Sequence, residues 1–337
     1  METLYVIEQG SYLTRSGDCL NIMKQGSVLE TIPARGLNKL VLTGYVSLSG
    51  PVMDYLIRNR VETVFITPTG RFRARLMIDE HKHVALRKAQ YINLSDPAFS
   101  MEVMKMIVQG KLRNMTTFLL RRGRDYGEIQ LKSAAASIKS LTASLSSAKE
   151  AAVVRGIEGA GARIYFSVFN HLLRNPDFSF KTRNRRPPLD PVNALLSFVY
   201  TLLTNEVISA IKVCGLDPYL GALHEISYGR PSLACDLVEE YRSLIGDRFV
   251  LGLLNRKMIK PDDFLYRQLK QKAFADEKEM CKNRPVEMKP PLYRTFLKSY
   301  EELMRGSSSF RGIILEHVRS FAVYIQEPEK GYQPKGM

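Results

Sequence analysis

The chain has 337 residues, 45% hydrophobic and 25% charged, with 49 Lys and Arg against 34 Asp and Glu, a formal net charge of +15. That length and apolar share supply a core for one large domain or two smaller ones and exclude disordered, collagen-like and low-complexity chains. Cys19, Cys214, Cys235 and Cys281 are far apart and form no CxxC pair, so no disulfide framework or cysteine zinc site is indicated, and a reducing cytoplasm fits best.

The N-terminus METLYVIEQG has an acidic residue at position 2 and no basic stretch ahead of an apolar run, which argues against secretion. No segment reads as long and apolar enough to cross a bilayer; the nearest, 191–205, contains Asn193, Ser197, Thr201 and Thr204 and ends at Glu206. The excess positive charge points to a polyanionic partner, with nucleic acid ahead of an anionic membrane.

Residues 1 to about 78 consist of short runs (TLYVI, SYLTR, CLNIM, SVLETI, KLVLTG, VETVFIT, RFRARLMI) punctuated by Gly10, Gly17, Gly26, Gly36, Gly44 and Gly50. This spacing predicts a small antiparallel sheet domain interrupted by one helix at 51–60, opened by Pro51. From about residue 81 the apolar period becomes helical, predicting helices at 81–91, 97–122, 127–145, 148–173, 191–213, 231–256, 262–282, 291–305 and 312–326. The expected class is α+β, with a β-rich domain at 1–80, a helical domain at 81–326 and a mobile Pro-, Gly- and Lys-rich tail at 327–337.

Three stretches hold the chemistry. In GIEGAGARIYF, residues 156–166, Gly156, Gly159 and Gly161 each cost a helix about 1 kcal/mol relative to alanine, so something gains close approach there. Glu158 in their midst is reachable by a metal, a partner helix or a nucleic-acid backbone; the alternative is tight helix packing with Glu158 on the solvated side. In LHEISYGRPSLACDLVEEYR, residues 223–242, His224 precedes a helix whose Asp236 and Glu239 lie one turn apart on one face. Two carboxylates beside an imidazole suit Mn²⁺ or Mg²⁺. In KTRNRRPPLDP, residues 181–191, Lys181, Arg183, Arg185 and Arg186 lead to a helix N-terminus at Asp190-Pro191, which itself attracts phosphate. Arg71, Arg73 and Arg75 alternate along one strand, and Arg121, Arg122 and Arg124 close a helix. No phosphate-loop or dinucleotide glycine motif and no serine nucleophile elbow is present.

A β-rich N-terminal domain followed by GIEGAGARIYFSVF, RRPPLDPVNALLSFVYTLL, LHEISYGRPSLACDLVEEYR and DRFVLGLLNR, in that order, resembles the CRISPR adaptation integrase, the Cas-one family, over essentially the whole chain. The wording is most similar to members accompanying type I systems of the C-like subtype. The resemblance implies a metal-dependent DNA endonuclease and integrase that inserts short foreign DNA fragments into a CRISPR array. It also implies homodimerisation through the N-terminal domain and a complex with the small Cas-two protein. Carried over by position, it makes Glu158, His224 and Glu239 ligands of Mn²⁺ or Mg²⁺, with Asp236 beside them assisting catalysis or DNA contact. Which of Asp236 and Glu239 is the acidic ligand stays open. Arg183, Arg185 and Arg186 are the expected DNA-steering residues. The competing reading is a basic architectural DNA binder whose carboxylates are structural.

Overall fold

Alternating apolar and polar residues build the first part of the chain into strands. A computed structural model describes residues 2–67, 72–76, 83–184, 187–266, 286–305, 309–334 and 336. The chain is of the α+β class and divides into two units, Met1–His81 with Tyr293–Glu302, and Lys82–Leu292 with Leu303–Met337.

The first unit contains β1 (Glu2–Val6), β2 (Tyr12–Ser16), β3 (Cys19–Lys24), β4 (Ser27–Pro33), β5 (Leu37–Thr43), β6 (Ser47–Leu48), α1 (Gly50–Arg58), β7 (Glu62–Ile66) and β8 (Phe72–Leu76). One sheet, ordered β4-β3-β2-β6, contains antiparallel hairpins, with Gln25 and Gly26 both at positive φ in the β3–β4 turn. The other, ordered β1-β5-β7-β8, departs from the expected antiparallel arrangement, because β5 runs parallel to both β1 and β7. The physical reason is the connections: the β2–β4 hairpins and then α1 return the chain to the same end before each new strand. Buried at six of its seven positions, β5 shows the near-continuous apolar run of a central parallel strand. Leu13, Leu20, Leu40, Val52 and Leu56 form the fully buried core between these layers.

The second unit holds α2 (Val84–Ser95), α3 (Pro97–Asp125), α4 (Ile129–Ala143), α5 (Ala151–Ser167), α6 (Pro191–Val213), α7 (Ser232–Tyr241) and α8 (Arg248–Asn255), then β9 (Phe264–Tyr266) and β10 (Val286–Met288), and α10 (Phe310–Gln326), while α9 (Pro290–Arg305) contributes its middle to the first unit. Two long helices begin as their sequences dictate: Asp96 accepts from the Phe99 amide ahead of α3 and Asp190 from the Asn193 amide ahead of α6, each with proline in the first turn. By length and composition α6 could cross a membrane, a point missed by ending the apolar run at Glu206. Yet 72% of its most apolar window is buried inside the protein.

Several expectations are corrected. The helix expected at 231–256 is broken by a π turn, Arg242–Asp247, between α7 and α8. The helix expected from 262 is a 3-10 turn, Pro261–Asp263, followed by β9 paired antiparallel with β10, in keeping with the strand preference of Phe264, Leu265 and Tyr266; residues 267–285 lie outside the described residues. The segment from Glu327, expected to be mobile, makes a 3-10 turn at Pro328–Lys330 and buries Tyr332 to 5% exposure, because an aromatic ring outweighs the polar residues around it.

Candidate active site

Three helices of the second unit bring opposite charges together. Lys111 sits on the buried face of α3 with Ile107, Val108 and Met115, so its ammonium enters the interior. There it pairs with Glu158 of α5 and stands 2.6 Å from Oε2 of Glu239 on α7. Arg242, in the π turn, reaches the other oxygen of Glu239 at 3.1 Å. Burial pushes the Glu239 carboxyl up, but Arg242 and Lys111 outweigh it and His224 adds to their pull, holding it at about 2. The carboxylate is therefore ionised at neutral pH although its side chain is only 4% exposed. Its Oε2 is taken up by the Lys111 ammonium, which holds the carboxyl down both by its charge and by hydrogen bonding.

Glu158 is the more open partner, with 26% of its side chain exposed. The three glycines around it divide in role. A Cβ at Gly161 would strike the Leu112 side chain, which is how α5 lies close against α3. Gly156 and Gly159 share a face of α5 that looks onto open space, so that face is bare. The expected tight packing holds only at Gly161.

Asp236 and His224 form a second arrangement next to the first. The Asp236 side chain is fully buried and accepts four hydrogen bonds, from the amides of Ala222 (2.7 Å), Leu223 (3.0 Å) and His224 (2.9 Å) and from the His224 ring at Nδ1 (2.7 Å). A Cβ at Gly221 would collide with Asp236, so glycine is needed where this loop meets the start of α7. With its oxygens committed to the loop, Asp236 orients the imidazole through Nδ1, which leaves Nε2 as the ring nitrogen not engaged by Asp236.

The loop after residue 180 differs from a free basic tether. Arg183 donates to the Asn184 carbonyl and the Asn193 side chain, both at 2.6 Å, and to Ser197 Oγ at 3.1 Å, so its guanidinium braces the loop onto α6. Arg185 and Arg186 lie outside the described residues. Arg183 and Arg242 both lie over the ring of Tyr200, at 5.4 and 4.9 Å from its centroid. The Tyr200 hydroxyl and that of Tyr165 donate to buried Asp247, at 2.5 and 2.8 Å. Burial pushes the Asp247 carboxyl up to about 6, against the pull of both hydroxyls and both arginines. In the first unit Arg75 pairs with Glu62 at 3.2 Å and Arg73 lies over Tyr45, so these two alternate arginines are partly engaged locally; Arg71 lies outside the described residues.

Among the described residues, no three His, Cys, Asp or Glu side chains converge closely enough to hold a metal ion. What the geometry provides is a pair of carboxylates already sharing one cation, with an oriented imidazole near enough to act on Glu239. Two carboxylates and an imidazole are donor types that suit a hard divalent ion such as Mn²⁺ or Mg²⁺, and the place between the two carboxylates is taken here by the Lys111 ammonium. Lys111, Arg242, Tyr200 and Asp247 went unread in the sequence. A lysine on the apolar face of α3 was the available signal, since a charge there requires a buried partner.

Comparison with known proteins converges on one family. The family model described as CRISPR associated protein Cas1 matches residues 4–301. A CRISPR-associated endonuclease Cas1 of Chlorobaculum tepidum is 37% identical over 308 residues, covering 90% of this chain and 86% of its own. Among solved structures, a Cas1 protein from Thermotoga maritima superposes with a TM-score of 0.81 at 24% identity, covering 100% of this chain and 99% of its own. A chain of a Cas6-RT-Cas1–Cas2 complex gives 0.82 at 21% identity, covering 99% of this chain and 36% of its own. A casposase bound to integration product gives 0.83 at 22% identity, with 99% and 93% covered.

Proposed function

Since this chain belongs to the CRISPR-associated protein Cas1 family, we propose that it is a metal-dependent DNA endonuclease and integrase that joins short foreign DNA fragments into a CRISPR repeat array. The observation that carries this reading is the convergence of Glu158 and Glu239, from separate helices, on one positive charge beside the Asp236-oriented His224. A protein that merely bends DNA has no use for two carboxylates gathered within a chain of net charge +15.

Glu158, Glu239 and the Nε2 of His224 would hold Mn²⁺ or Mg²⁺, which when bound supplies Lewis-acid polarisation of a phosphoryl oxygen. The chain's own residues prepare the rest. Arg242 helps keep Glu239 ionised, Asp236 orients the imidazole through Nδ1, and Gly156 and Gly159 leave the face of α5 they share free of side chains. The reaction is a transesterification: the 3′-hydroxyl oxygen of the fragment forms a bond to phosphorus as the target strand's own bridging oxygen leaves, taking up the proton the hydroxyl gives up. Bond type is conserved, so no ATP is consumed.

Partners follow from the same reading. Basic residues at 181–186 steer DNA by phosphate contact, with Arg183 also braced onto α6. The first unit mediates homodimerisation through β4, an edge strand whose Val28 and Leu29 are each 53% exposed. A Cas2 protein is the further partner, supported by the shared fold of the chain solved in a Cas1–Cas2 complex, and the cytoplasm is the site of action.

Glu158→Gln tests the proposal, because it preserves volume and removes the charge. Joining of a labelled duplex into a supercoiled plasmid with Mn²⁺ falls by orders of magnitude, while gel-shift affinity stays equal or rises slightly. Full joining by a folded Glu158→Gln protein overturns the metal mechanism.

A further inference from the structure

Residues 331–334 lie against α7, which carries Glu239, and α3, which carries the lysine paired with it. Gly331, at φ +68, turns the chain after the Pro328–Lys330 turn so that the Tyr332 ring enters the interior. Its hydroxyl donates to Oε1 of Glu240 at 3.0 Å and lies 2.7 Å from Nε2 of His317 on α10. The Tyr332 and His317 rings stack with centroids 5.1 Å apart, and the other His317 nitrogen is bonded to the hydroxyl of Tyr241. One proton arrangement satisfies the set: Tyr241 donates to Nδ1, Nε2–H donates to the Tyr332 oxygen, and Tyr332 donates to Glu240. Burial, reinforced by Glu240, pushes both phenols well above their usual range, so both remain donors. The last two residues of α7 are thus tied to α10, Tyr241 directly and Glu240 both through Tyr332 and by facing His317 Nε2 at 3.5 Å.

Two residues further on, Pro334 lies over α3. Its carbonyl accepts from Arg113 at 2.8 Å, and a Cβ placed on Gly110 would meet Pro334 Cβ at 2.5 Å and Glu240 Cδ at 3.2 Å. Glycine at 110 is what lets tail, α3 and α7 meet at one point. Asn114 closes the same junction by donating to the Glu240 carbonyl at 2.9 Å. Gly110 and Glu240 are the sequence neighbours of Lys111 and Glu239. Consecutive helical residues differ by about 100° around the axis, so the tail grips one face of each helix while the adjoining faces form the ion pair.

We propose that Tyr332 is a positioning residue for the carboxylate site: through Glu240 it fixes the rotation of α7 against α3, and so sets Glu239 relative to Lys111 and Glu158. Tyr332 bonds to Glu240 and His317, neither of them a carboxylate paired with Lys111. It acts through the two helices, and it rests on the proposed function only where divalent ion binding is the readout.

The test uses the full chain, Tyr332→Phe, Tyr332→Ala and a chain ending at Gly331. Tyr332→Phe keeps the ring packing and removes only the hydroxyl. Two properties are read: Mn²⁺ affinity without DNA, from the free-ion signal in electron paramagnetic resonance, and the Lys111 Nζ resonance in metal-free ¹⁵N-lysine protein, assigned with Lys111→Arg. Thermal melts identify loss of fold. Mn²⁺ affinity is expected to fall about tenfold in Tyr332→Phe with little change in melting, the low end of what loss of a residue behind a metal ligand costs, and further in the truncated chain. The Lys111 resonance moves in all three. Unchanged Mn²⁺ affinity and an unmoved Lys111 resonance in folded Tyr332→Phe and in the truncated chain overturn the proposal and leave the tail a packing element. A wild-type chain that binds no Mn²⁺, with a Lys111 resonance that still follows Tyr332, overturns the metal reading and retains the clamp.

Discussion

Glu239, near the end of α7, and Asp247, the last residue of the π turn that follows, are both buried carboxylates, yet one is held at about 2 and the other at about 6. Burial acts on both in the same direction. The difference lies in the partners: Glu239 touches an ammonium and a guanidinium, whereas Asp247 is bonded to two tyrosine hydroxyls and feels Arg183 and Arg242 from further off. A hydroxyl satisfies a lone pair without cancelling the charge, so burial prevails at Asp247 and loses at Glu239. The corner at Glu239 is an anionic site filled by cations, and the corner at Asp247 is a hydrogen-bonded brace.

The sharpest way to break this contrast is to remove a cation. Lys111→Met leaves Glu239 buried with Arg242 alone and should cost about 3–5 kcal/mol in urea unfolding at pH 7. If the corner accepts cations interchangeably, saturating Mn²⁺ restores much of that loss, and the double variant with Glu158→Gln shows less recovery. A smaller effect is expected in acid. A carboxyl held at about 2 when folded and 4.5 when unfolded stabilises the fold above pH 4.5, by about 3 kcal/mol, and that contribution disappears as pH falls toward 2. Glu239→Gln should remove this segment of the stability profile. Asp247 carries the opposite sign: its folded value lies above 3.8, so its contribution is greatest below pH 3.8 and is lost as pH rises through about 6. Asp247→Asn should flatten the decline between pH 4 and 6, with a magnitude somewhat below that at Glu239. The smallest effect belongs to Arg183. If it braces the loop, Arg183→Leu raises the Asp247 titration further and leaves the salt slope of DNA binding unchanged, whereas an arginine that neutralised a DNA phosphate would, on removal, lower that slope by roughly 0.9.

Long periodic segments were legible in the sequence. The helix at 191–213 has the bounds its Asp190-Pro191 start and apolar run imply, and Asp236 and Glu239 do share one helix. Parallel pairing of β5 was not legible, because strand direction depends on connections and local alternation is silent about it. Nor could spacing divide the roles of Asp236 and Glu239. That division depends on which one meets the amides of 222–224, a loop the sequence alone does not fold back onto α7. Arg183 illustrates the converse, since a run of basic residues looks exposed until Asn193 and Ser197 of α6 claim its donors.

The first unit is completed by residues 293–302, and Tyr293 and Glu301 reach back to Thr43 and Tyr5. On the ribosome, its strands emerge more than 200 residues before the helix that finishes them. At roughly 5–20 residues per second that interval is on the order of ten to forty seconds. Throughout it the nascent β-layer presents unfinished apolar surface, the period in which a chaperone or a second nascent chain has its best access. A fragment comprising only the N-terminal strands reproduces that interval indefinitely, so its tendency to associate would report on missing residues as much as on the dimer edge at β4.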